Sequence, residues 1–70
     1  MDSFDIDTIL RVLEENPKKF DSWFNCKKNK NRPYSVLMKL KLKQIKLLYP
    51  DIDHKKRFQI ATNFVKDIRS

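Results

Sequence analysis

Lys27, Lys28, Lys30 and Arg32 place four cations within six residues, separated only by Asn29 and Asn31. Such a run does one kind of chemistry well: it neutralises phosphates or carboxylates and releases the counterions that a polyanion holds. A second basic set follows. Lys39, Lys43 and Lys46 recur at i, i+4 and i+7, the spacing that keeps three ammonium groups on one face of a helix. They can track a phosphate backbone there or simply face solvent. Trp23 and Tyr34 offer ring faces on which bases can stack. Trp23 lies beside Phe20 and Phe24 and reads first as a core residue, whereas Tyr34, next to the basic run, stays open between the two roles.

Bond-making chemistry finds no comparable constellation. Glu14 and Glu15 are neighbours on a helical stretch and point in different directions, so they cannot act as an acid–base pair. The chain has no glycine, hence no glycine-rich phosphate loop, and no serine, histidine and acid set. One cysteine excludes an internal disulfide, and one histidine with one cysteine cannot close a structural zinc site. Cys26 stands beside two lysines, a setting that activates thiols, but a free thiol without a function is the simpler reading. His54 is the single imidazole; next to Asp53 at a helix start it reads as a surface residue. The expectation is a non-enzymatic binder with no cofactor and no metal.

The elements that position these residues follow from apolar spacing. Ile6, Ile9, Leu10 and Leu13 fall at i, i+3, i+4 and i+7 and predict a first helix over Asp5–Glu15, capped by Ser3 or Asp5. Asn16-Pro17 ends it and opens a short second helix, about Pro17–Asn25. The third runs from about Pro33 to Tyr49. It is apolar around most of its circumference, interrupted by Lys41 and Gln44, and must be covered from more than one side. Pro50 stops it, and Asp53 caps a fourth, His54–Ile68, with Ala61, Phe64, Val65 and Ile68 facing inward and Phe58 one turn earlier. The fold class is all-α: a small single domain of about four helices. Residues 1–25 form acidic N-terminal helices, 26–32 a basic linker too polar to bury, and 33–70 a helix pair.

Composition bounds the rest. Seventy residues make one domain, which buries only about 60% of the surface its unfolded chain exposes. Eight aromatics argue against disorder, and the lack of glycine leaves few positions for a positive φ. The net charge of +7 is uneven: −4 over residues 1–17, +9 over residues 18–49 and +2 over residues 50–70. An acidic head on a basic body favours polyanion binding by the middle. No stretch is long enough to cross a membrane and the acidic start is unlike a signal peptide. An intracellular setting is expected: a nucleus, or a virion or viral factory if the source is viral. Abundant Lys, Ile, Asn and Phe would suit an AT-rich genome.

From Arg32 onward the residues Arg32-Pro33-Tyr34-Ser35-Val36-Leu37-Met38-Lys39 and Tyr49-Pro50-Asp51-Ile52-Asp53-His54-Lys55-Lys56-Arg57-Phe58 carry a likeness. This stretch resembles the first two helices of an HMG-type box, in the variety found in YABBY proteins and in small relatives from large DNA viruses. The likeness covers roughly the last forty residues. It departs from the family in lacking the long third helix and the tryptophan of the second, for which Phe64 or Val65 must serve. The resemblance implies that Ser35 approaches minor-groove base edges and that Met38 is the apolar wedge between base steps. It implies too that Lys28, Lys30 and Arg32 neutralise flanking phosphates. Read without the resemblance, Met38 is a core filler, as methionine often is.

The function expected is binding of double-stranded DNA, or RNA, with little sequence preference. The contacts would be Lys27, Lys28, Lys30, Arg32, Tyr34, Ser35, Met38, Lys39, Lys43 and Lys46, and the role architectural, accessory to transcription or in genome packaging. The rival is a small protein-interaction module whose surplus apolar surface docks on a larger assembly. The acidic first helix leans towards the rival, since beside the basic face it would repel DNA.

Overall fold

The first helix starts where its capping chemistry says it should. The Asp5 carboxylate accepts from the Asp7 amide at 3.1 Å and from the Thr8 hydroxyl at 2.9 Å, satisfying a donor that the first turn leaves open. The computed structural model describes residues 5–70, and Ser3, the alternative cap, lies outside them. Five helices follow in order: α1 (Ile6–Glu15), α2 (Asp21–Asn25), α3 (Lys27–Lys30), α4 (Tyr34–Leu48) and α5 (His54–Arg69). No described residue is in a strand. The all-α reading holds, with α1, α4 and α5 within a residue or so of their expected bounds.

Helix α4 is the central element. It packs most extensively on α5 and also receives α1, which answers its need for cover on two sides. One apolar cluster is shared by Leu13 of α1, Phe20 and Phe24, Leu37, Leu40 and Ile45 of α4, and Ala61 and Val65 of α5. Phe24, without exposure, stands at its middle: its ring meets Phe20, Trp23 and Phe64 edge to face, with centroids 5.1–5.4 Å apart. Trp23 stacks on Phe20, so its core role is the one observed. The radius of gyration is 11.7 Å, against about 11 Å for a compact chain of this length.

Four details depart from expectation. Residues 17–20 form turns rather than the start of α2, and the Pro17 carbonyl accepts both the Phe20 amide at 3.4 Å and the Gln44 Nε2 of α4 at 2.8 Å. The basic linker is not a linker throughout, since Lys27–Lys30 make the helical turn α3. Phe58 is exposed rather than buried. In the first turn of α5 Arg57 takes the half-buried place instead, its Nη2 donating to the Ile52 carbonyl at 3.1 Å. Asp53 occupies the N-cap position of α5 but its side chain makes no cap hydrogen bond.

Lys41 and Gln44, the two polar interruptions of α4, form a network with Asp21 that runs from the buried Gln44 amide through half-buried Lys41 to the exposed Asp21 carboxylate. The Lys41 Nζ donates to Gln44 Oε1 at 2.7 Å and to Asp21 Oδ1 at 3.4 Å, and lies 3.8 Å from the centroid of the Phe64 ring. Burial pushes the Lys41 ammonium below the ordinary lysine range, with the charge and hydrogen bond of Asp21 pulling the other way. A lysine held low in the folded state keeps its proton better when unfolded, so between the two pKa values the unfolded chain carries more protons and stability rises with pH. As pH is raised towards the ordinary lysine value of about 10.4, the native protein should gain stability relative to Lys41→Met. Denaturant melts of both across that range read the difference; a flat or falling difference would mean that Asp21 cancels the cost of burial.

Candidate nucleic-acid interface

A tetrapeptide of sequence Lys-Lys-Asn-Lys has no intrinsic reason to hold a helical turn in water, because one turn fixes many dihedrals for few hydrogen bonds. Asn29 supplies the reason. Its side chain is buried, its Nδ2 donates to the Trp23 carbonyl at 2.9 Å and its Oδ1 accepts from Arg32 Nε at 3.2 Å. The Cys26 carbonyl accepts the amides of Asn29 and Lys30, and the Asn31 side chain closes the turn on the Lys27 carbonyl at 3.2 Å. The anchor continues across the molecule: the Arg32 carbonyl accepts from Arg69 Nη1 at 3.0 Å. A chain of polar contacts thus ties α2, α3, the start of α4 and the end of α5 together.

The result is a basic hollow of about 490 Å³ lined by Lys27, Lys30, Asn31, Ile68 and Arg69. Lys27 and Lys28 are exposed, whereas Lys30 and Arg32 are half-buried. Tyr34 and Ser35 lie exposed at the start of α4. Pro33 provides no side-chain cap there, and its carbonyl takes the Val36 and Leu37 amides at 3.0 and 3.2 Å, which leaves the Tyr34 and Ser35 amides to meet an anion. Such an arrangement can hold phosphate oxygens by charge and by backbone donors together.

Lys39, Lys43 and Lys46 line a different hollow, between α1, α4 and the start of α5. Lys39 and Lys46 are exposed, but Lys43 is paired with Glu14 of α1 at 3.4 Å. The acidic helix does sit beside the lysine stripe. Met38 is 6% exposed and belongs to the apolar cluster. The wedge implied for it by the resemblance is therefore corrected to a core role: a side chain that fills the interior has no tip to insert between base steps.

Three contributors have no plain signal in the sequence. Arg69 joins the α3 hollow from 37 residues away, a distance that no local pattern reveals. Asn29 resembles any other polar residue of a solvated run. Arg57 belongs to a basic stretch that figures only in the resemblance, yet it lines the hollow with the lysine stripe. No described helix is long and apolar enough to cross a membrane. No protein-family model matches this chain, and no characterised protein or solved structure matches it either.

Proposed function

We propose that the chain is a non-enzymatic module that holds double-stranded DNA by its phosphates, with little regard to sequence. The observation that carries this reading is the α3 cluster: a lysine-bearing turn whose backbone is anchored by the buried Asn29 amide, with Lys27 and Lys30 sharing a concave surface with Arg69. A backbone already held in place leaves less freedom to lose on binding, and each phosphate neutralised releases counterions. Lys27, Lys28, Lys30 and Arg69 serve the backbone, while Tyr34, Ser35 and the open amides at the start of α4 reach the adjoining sugar and groove edge. The resemblance of the stretch from Arg32 onward to an HMG-type box favours duplex DNA among polyanions. Met38 has no part in this mechanism, so no wedge-driven kink is built into it. An architectural role, or one accessory to transcription or packaging, suits such contacts.

Replacing Lys27, Lys28 and Lys30 together by Gln tests the reading, and Gln keeps nearly the same helix propensity as Lys. Titration of a labelled AT-rich duplex, followed by anisotropy across a salt series, should show affinity at low salt reduced about 10- to 100-fold and the log–log salt slope shallower by about 2–3. Unchanged affinity and slope in a normally folded variant would remove α3 from the interface and the reading with it.

A further inference from the structure

We infer that the hollow between α1, α4 and α5 is a docking site for an acidic peptide segment carrying an apolar anchor. The hollow measures about 360 Å³, room for one or two side chains rather than a cofactor. Leu10 and Leu42 supply its apolar surface, and both are only partly buried. Around them stand Lys39, Lys46, Arg57 and the Lys43–Glu14 pair. Three cations therefore stand beyond the one that Glu14 neutralises, about a patch of hydrocarbon.

Charge complementarity narrows the occupant to an anion. Glu14 opposes any anion alike, so the apolar floor decides: a phosphate backbone would find the lysines but has nothing to set against Leu10 and Leu42. A peptide with a Leu or Phe flanked by Asp or Glu satisfies both the rim and the floor. A further feature favours carboxylates. Asp53 makes no side-chain cap on α5, whose first turn brings His54 and Arg57 to the hollow, so open amides and the positive end of a sixteen-residue helix lie close by. This hollow shares no lining residue with the α3 surface, so the two can be altered separately.

The test uses the full chain and a short fluorescein-labelled peptide in which a central Leu-Phe pair is flanked by glutamates. Saturable binding is expected, weakening as salt screens the rim. The Lys39→Gln/Lys46→Gln variant, altered only at exposed side chains, should bind roughly tenfold more weakly. Changing Leu-Phe of the peptide to Ser-Ser should abolish measurable binding, while the α3 triple variant should bind the peptide normally. The inference falls if the peptide does not saturate, if its Gln-for-Glu counterpart binds equally well, or if Lys39→Gln/Lys46→Gln impairs duplex binding and spares the peptide. The last outcome would make the stripe a phosphate surface. Loss of DNA binding in the α3 triple variant tests only the DNA reading, so the two can fail separately.

Discussion

Phe24→Ala should leave the protein largely unfolded at physiological temperature. Removing a fully buried phenylalanine costs about 3–5 kcal/mol, and a domain of this size rarely has more than about 3–5 kcal/mol to lose. Phe24 is also the ring that meets Phe20, Trp23 and Phe64, so its loss uncouples α2 from α5. Helix α3 depends on the Trp23 carbonyl through Asn29 and would lose its anchor in the same step. Far-UV circular dichroism should show the helical signal reduced and its thermal transition broadened or gone. A cooperative transition within about 1 kcal/mol of the native protein would mean that the aromatic cluster is not the centre of the core.

Gln44→Ala should be the next most damaging change. Gln44 is 1% exposed and uses both ends of its amide: Nε2 donates to the Pro17 carbonyl and to Asp21 Oδ1, and Oε1 accepts from Lys41. Truncation leaves a cavity and strips the Pro17 carbonyl of its side-chain donor, for a loss of about 2–4 kcal/mol. Gln44→Met separates the two contributions, since it keeps most of the volume and removes only the hydrogen bonds, at about 1–3 kcal/mol. Denaturant unfolding of the pair reads the split. If Met proves as stable as Gln, the network contributes nothing beyond its volume.

Helices α1, α4 and α5 are legible in the sequence because apolar spacing, Asn16-Pro17, Pro33 and Pro50 all mark the same boundaries. What the pattern cannot settle is direction. Helix α4 is apolar almost all round, so nothing in its residues says whether Met38 faces the interior or a partner; only the packing of α1 and α5 decides it. Helix α3 eludes the pattern for a related reason. A run of Lys and Asn argues against burial by composition, but one Asn amide with two well-placed partners overcomes that tendency at a single residue. Lys41 and Gln44 read as interruptions of an apolar surface because their partner, Asp21, lies at least twenty residues away. The basic run itself is plain in the sequence, whereas its convergence with Arg69 is not.

The corners of this chain have a consequence that lies outside the folded molecule. No described residue has a positive φ and the sequence contains no glycine, while Pro17, Pro33 and Pro50 stand at three of its helix junctions. Proline at a compatible site restricts the disordered chain more than the ordered one, and the absence of glycine acts in the same sense. The unfolded ensemble is correspondingly poor in alternatives. A domain with so small a core owes part of its persistence to freedom that its denatured form never had.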